Sequence, residues 1–154
     1  LNQSREARGE LAINSTWFWG GGIMPGSVAC PYTHVWSNDI LAVSLALACG
    51  TNHAQLPPGA AAWHQSAAAA GTHLVVLDAL LGKAQYGDAY GWRESLKELE
   101  RTWFAPLWAL SKQGRFDQIT LTAVHENKTR NFALKRGDFR KFWRRAKPLS
   151  IYAK

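Results

Sequence analysis

Apolar and polar positions alternate from Leu11 to Trp19: Ile13, Ser15, Trp17 and Trp19 take one side, Asn14, Thr16 and Phe18 the other. That two-residue period predicts a strand, ended by Gly20-Gly21-Gly22. Both sides are largely apolar or aromatic, so the strand is expected to be covered on both faces. A second short strand is expected over His34–Ser37. Asn38 or Asp39 then caps a helix from about Ile40 to Ala48, which Gly50 stops. This helix is apolar nearly all round and is expected to lie deeply buried.

Pro57-Pro58-Gly59 reads as a turn, and Ala60–Ala70 as a small-residue helix suited to close packing. Thr72–Asp78 reads as a buried strand, and the glycines at 82 and 87 mark a loop. From about Tyr90 to Lys112, Trp92, Leu96, Leu99, Trp103, Leu107 and Leu110 recur at spacings of three and four, which predicts one long helix. Pro106 inside it predicts a kink, because its ring removes the hydrogen bond back to Thr102. Gln118–Val124 alternates as a strand, with a turn near Asn127 and a further strand around Asn131–Leu134. Asp138 is then expected to cap a short helix, its inner face made by Phe139, Phe142 and Trp143.

Strands alternating with helices predict a single α/β domain with no internal boundary. Its mainly parallel sheet should have about four or five strands, with helices on both faces. In such sheets ligands gather at the carboxyl ends of the strands. The segments to search are therefore 19–25, 37–39, 78–88 and 124–130.

Composition narrows the classes. The chain has 154 residues, 47% of them hydrophobic, enough for a packed core and unlike a disordered chain. Its apolar runs fall well short of the roughly 20 residues that cross a bilayer, so no membrane role is expected. The polar start, Asn2-Gln3-Ser4-Arg5-Glu6, does not read as a signal peptide. A chain beginning at Leu1 rather than Met is expected to be a piece of a longer protein. Two cysteines, Cys30 and Cys49, are too sparse for a disulfide framework and suit reduced thiols in a cytoplasm.

Charge is unevenly spread. Residues 1–90 carry a net −2 and residues 91–154 a net +9, which together make the chain's +7. Seven basic residues lie between Lys135 and Lys147. A surface of Arg136, Arg140, Arg144 and Arg145 is one candidate for nucleic acid or an acidic partner. The simpler reading, and the favoured one, is an amphipathic terminal helix that leaves its charges in water.

No nucleotide-binding glycine fingerprint, no GxSxG elbow and no HExxH pair is present. None of the five histidines shows metal-binding spacing, and no cysteine pair supports them. His125, at the carboxyl end of the last strong strand, stands out as a lone acid–base or ligand candidate.

The stretch Asn14-Ser15-Thr16-Trp17-Phe18-Trp19-Gly20-Gly21-Gly22, followed by Met24-Pro25 and preceded by Asn2, Arg5, Arg8 and Gly9, resembles a motif of the cofactor-independent phosphoglycerate mutases, members of the alkaline phosphatase superfamily. The resemblance continues weakly through Trp36–Gly50, Pro57–Ala62 and His73–Asp78, as far as about Val124. It implies an alkaline-phosphatase-like sheet, a bacterial, cytoplasmic protein and a partner N-terminal half carrying the serine nucleophile. Where the family has a metal-binding Asp-Glu-Ala-Gly-His loop, this chain reads Ala79–Gly87, with Lys83 and Gly87 in place of Asp and His. Where the family's last strand ends in Asp-His, this one ends in Val124-His125.

A degenerate metal site is therefore expected, with residual Mn or Zn binding confined to the full-length protein. The expected function is regulation, or binding of a phosphorylated or other anionic small molecule. Its crevice is expected to hold Asn14, Trp17, Trp19, Asp39 and Asp78, with His125 as the residual catalytic group and Arg130 as the anion partner. The alternatives are a genuine mutase completed by the N-terminal half, and a basic module for nucleic acid or an acidic partner.

Overall fold

A computed structural model describes residues 2–13, 21–23, 28–67, 70–125, 128–141 and 143, without the side chain of residue 125. The chain is α/β. Three short parallel strands, β1 (His34–Trp36), β2 (Asn52–Ala54) and β3 (His73–Val75), form a sheet in the order β2-β1-β3. His34 aligns with Asn52 on one side and His73 on the other, and Trp36 with Ala54 and Val75. An N-terminal helix, α1 (Asn2–Glu6), precedes them. The Asn2 side chain accepts from the Ile13 N–H and donates to its carbonyl, both at 3.0 Å, while Arg5 Nε donates to the Leu11 carbonyl at 2.9 Å. Residues 11–13 are not in a strand, and the rest of the expected first strand lies outside the described residues.

Local chemistry sets each boundary. The Asp39 N–H donates to the buried Ser37 hydroxyl, and its carboxylate accepts from the Ala42 N–H at 2.9 Å, starting α2 (Ile40–Ala48) as expected. Gly50 adopts a positive φ of 65°, and its N–H donates to the Leu47 carbonyl, reversing the chain into β2. Gly59 precedes α3 (Ala60–Ser66). The expected loop after β3 contains a short helix, α4 (Leu81–Gln85).

The long helix is present as α5 (Ala89–Leu99) and α6 (Ala105–Lys112), joined by a π-turn at Glu100–Phe104. Asp88 caps it, accepting from the Gly91 N–H at 2.8 Å. The Ala105 N–H reaches back five residues to the Glu100 carbonyl. Such a turn immediately before Pro106 absorbs the donor that proline lacks.

The core gathers Trp36, Ala60, Trp63, Leu99 and Trp103, with Val75, Leu77, Leu107 and Phe116 packed around them. It lies between one face of the sheet, α3 and the long helix. Val35, buried, alternates to the opposite side of β1, and α2 packs against β1 and β2.

The deep burial expected for α2 is not found. Only Ala46 is buried, while Ile40 is 82% and Leu41 62% exposed, and Leu45 and Leu47 are also exposed. A narrow three-stranded sheet covers one stripe of a helix, and among the described residues nothing covers the rest.

The two C-terminal strands form where the sequence places them, but in a separate antiparallel sheet. β4 (Gln118–His125) pairs antiparallel with β5 (Lys128–Lys135), from Gln118 against Lys135 to His125 against Lys128, and the parallel sheet has three strands among the described residues. Because β5 begins close after β4 in the sequence, β4 can satisfy its backbone with its own neighbour, which a parallel partner cannot offer.

Arg136–Arg140 forms a 3-10 turn with Asp138 inside it, accepting from the Lys135 N–H at 2.9 Å. Phe139 meets Trp108 edge-on at 4.9 Å. Trp143, expected on an inner face, is 66% exposed, and Phe142 lies outside the described residues. Among the described residues no helix is long and apolar enough to cross a membrane.

Candidate functional site

The strand order β2-β1-β3 places the first crossover on one side of β1 and the next on the other. The chain's direction of winding thus reverses between β1 and β3. Helices and loops leave such a point in opposite directions, opening a crevice outside the carboxyl ends of the two strands.

The residues at that edge are Ser37-Asn38-Asp39 after β1 and Val76-Leu77-Asp78 after β3. The Val76 N–H donates to the Trp36 carbonyl at 3.0 Å, holding the two exits side by side. Asn38 accepts from the Leu56 N–H at 3.1 Å, and Asp39 is committed to its helix cap. Asp78 is exposed, and its carbonyl accepts from the Leu81 N–H to start the turn into α4.

Beyond Asp78 a recess of about 340 Å³ is lined by Leu11, Ala79, Gly82, Lys83, Tyr86 and Asp88. The Lys83 ammonium faces the Asp88 carboxylate at 3.5 Å, both half-exposed. The aromatic ring of Tyr86 and the aliphatic Leu11 and Ala79 supply apolar walls beside that single ion pair. A lysine in a half-exposed, solvated ion pair can turn to an anion at little cost, because exposed pairs are weak.

The sequence-derived site residues separate into three groups. Asp39 and Asp78 each follow one of the paired strands β1 and β3 at the sheet's carboxyl edge. His125 and Arg130 belong to the hairpin: His125 ends β4, and Arg130 aligns with Ala123 on β5. Asn14, Trp17 and Trp19 lie outside the described residues. Of the basic surface, Arg136 and Arg140 sit in the 3-10 turn, with the Arg136 guanidinium against Gly114, whereas Arg144 and Arg145 lie outside the described residues.

Neither a family model, nor a curated protein, nor a solved structure matches the chain. The site is therefore judged on its own donors. A two-metal phosphoryl-transfer centre needs several hard ligands around ions about 4 Å apart. The recess offers the carboxylate of Asp88 with an ammonium beside it, and that donor set does not fit such a centre. Among the described residues, no three His, Cys, Asp or Glu side chains converge to hold a metal ion.

Sequence reasoning reached Asp39, Asp78 and the 78–88 segment through the carboxyl-end rule. Tyr86 falls inside that segment without being singled out, and Leu11 falls outside every such segment. No periodicity marks either one, since Tyr86 follows a helix of only five residues and Leu11 joins the recess across the fold.

Proposed function

We propose that this chain is the α/β domain of a bacterial, cytoplasmic phosphoglycerate-mutase-like protein, completed by an N-terminal half, that binds a phosphorylated or other anionic small molecule at the carboxyl edge of its parallel sheet. The reading rests on one observation above all: the recess lined by the segment that follows β3, from Ala79 to Asp88, presents Lys83. Lysine is a strong point-charge partner for phosphate. In this reading the same loop that carries metal ligands in the active mutases has become a direct anion contact, and the role is regulatory. The finer architecture, an alkaline-phosphatase-like sheet of four or five strands with helices on both faces, requires further strands beyond the three described.

Thermal-shift titration with 3-phosphoglycerate and with inorganic phosphate tests the reading. A ligand at a hundred times its Kd adds about 2.7 kcal/mol, which raises Tm by about 5–10 °C in a chain of this size. A saturable rise lost in Lys83→Ala supports the proposal. No rise with either anion at millimolar concentration overturns it. A saturable rise with Mn²⁺ or Zn²⁺ that disappears in His125→Ala favours the genuine mutase instead.

A second reading draws on a separate surface. The Trp108 ring is half-exposed, with Lys112 Nζ 5.6 Å from its centre and the Arg136–Arg140 turn packed beside it through Phe139. Cations around an exposed ring suit single-stranded nucleic acid. That reading requires affinity to fall with salt at a slope of about −0.7 per phosphate contacted.

A further inference from the structure

One turn places Lys83 and Asp88 together. Tyr86 caps α4, and Gly87 follows with a positive φ of 66°. The Gly87 N–H donates to the Ala84 carbonyl at 3.2 Å, and the Asp88 N–H to the Lys83 carbonyl at 2.9 Å. These two bonds make a Schellman ending, which brings the side chains at its two ends into contact, frequently an apolar one. Here the two ends are a lysine and an aspartate, with Lys83 Nζ 3.5 Å from Asp88 Oδ2.

That separation exceeds the roughly 2.7–2.9 Å of a charged hydrogen bond. Asp88 Oδ1 accepts from the Gly91 N–H at 2.8 Å, which fixes the carboxylate as the cap of α5, while Oδ2 faces the ammonium. Both charged groups are half-exposed, so each has capacity for another partner. They also form a ridge between two recesses. Both line the recess of about 340 Å³ that has Leu11, Ala79 and Tyr86 as its apolar walls, and both line a second of about 140 Å³ that includes Trp92. A cavity of about 150 Å³ takes a benzene ring, so the larger recess has room for a large side chain.

We propose that this ridge binds a free α-amino acid with a large apolar side chain. Its carboxylate sits on Lys83, its ammonium on Asp88 Oδ2, and its side chain in the larger recess against Leu11 and Tyr86. The proposal rests on the reading of Lys83 as an anion contact and narrows the anion to a carboxylate that carries its own cation. Charge balance is the reason. A phosphate drawn to Lys83 is repelled by Asp88 from nearly the same distance, and the two effects largely cancel. A zwitterion meets each charge with its opposite. In an α-amino acid the two charged groups are held on one carbon, which suits counter-charges 3.5 Å apart. The apolar walls favour an apolar body, which gains by leaving water.

The experiment titrates the isotope-labelled chain with L-phenylalanine, phenylpropanoate, phenylethylamine and inorganic phosphate, followed by amide NMR. L-Phenylalanine should move the amide signals of residues 83–88 saturably. Phenylpropanoate lacks the ammonium and phenylethylamine the carboxylate. Each should bind on the order of tenfold more weakly, because Asp88 or Lys83 is left without its partner. Asp88→Asn keeps the α5 cap, since asparagine caps as well, and should lose phenylalanine while retaining phosphate. Lys83→Ala should lose both. Matching circular dichroism shows that the variants fold. A response to phosphate without one to phenylalanine, phenylpropanoate binding as tightly as phenylalanine, or undiminished phenylalanine binding by Asp88→Asn overturns this proposal and leaves the anion reading standing. A response to neither phosphate nor phenylalanine overturns both.

Discussion

A methyl group added at Gly59 would sit 2.8 Å from the carbonyl oxygen of Thr102. That carbonyl is the one to which a regular helix would send the N–H of residue 106, and residue 106 is a proline. The π-turn and the close approach of Gly59 are therefore two sides of one accommodation: α3 starts where the long helix exposes backbone. Gly59→Ala must push against backbone rather than a flexible side-chain tip, and overpacking of this kind costs about 1–3 kcal/mol. Gly82→Ala is the control, since a methyl there meets nothing within 4 Å and should gain about 0.4–1 kcal/mol in α4. Urea midpoints of the two variants should move in opposite directions.

The Trp36 indole N–H donates to Nδ1 of His73 at 3.1 Å, a diagonal pair on neighbouring strands. The bond places the His73 proton on Nε2. Trp36→Phe preserves the ring in the core but removes the donor. A stability loss of about 1–3 kcal/mol is expected. An unchanged urea midpoint would show that the bond adds nothing net.

Asp39, a ligand candidate and one of two cap candidates in the sequence, is the helix cap in the structure. Asp39→Asn should leave stability nearly unchanged, because asparagine caps as well, whereas Asp39→Ala should lose about 1 kcal/mol. If Asp39→Asn abolishes anion-induced stabilisation while keeping the same midpoint, the carboxylate also serves the site.

Glu98 accepts from both Nε and Nη2 of Arg101, at 3.0 and 2.5 Å. These bonds, with the nearby positive charge behind them, hold the Glu98 carboxyl below its usual value near 4.5. A depressed carboxyl adds stability that is present above pH 4.5 and lost as the pH falls through the lower folded value. Arg101→Gln should move the Glu98 titration upward, seen by carboxyl NMR, and flatten the acid limb of stability against pH. The pair is exposed, so its weight in overall stability is small.

What the sequence determined by itself is local chemistry. Asp39 and Gly50 bound α2 because a cap and a left-handed turn depend on a few neighbouring residues. Trp92 through Leu110 announce the long helix because its apolar stripe repeats every three or four positions. The carboxyl-end rule led to Asp39, Asp78 and the loop that holds Lys83.

Tertiary structure alone decided the rest. Whether β4 joins the parallel sheet or folds back on β5 depends on competition between distant and adjacent partners, and an alternating strand suits either. How much of α2 is covered depends on the width of the sheet beneath it. The recess that joins Leu11 to Lys83 and Tyr86 arises where separate segments converge. Spacing in a sequence constrains only residues close along the chain.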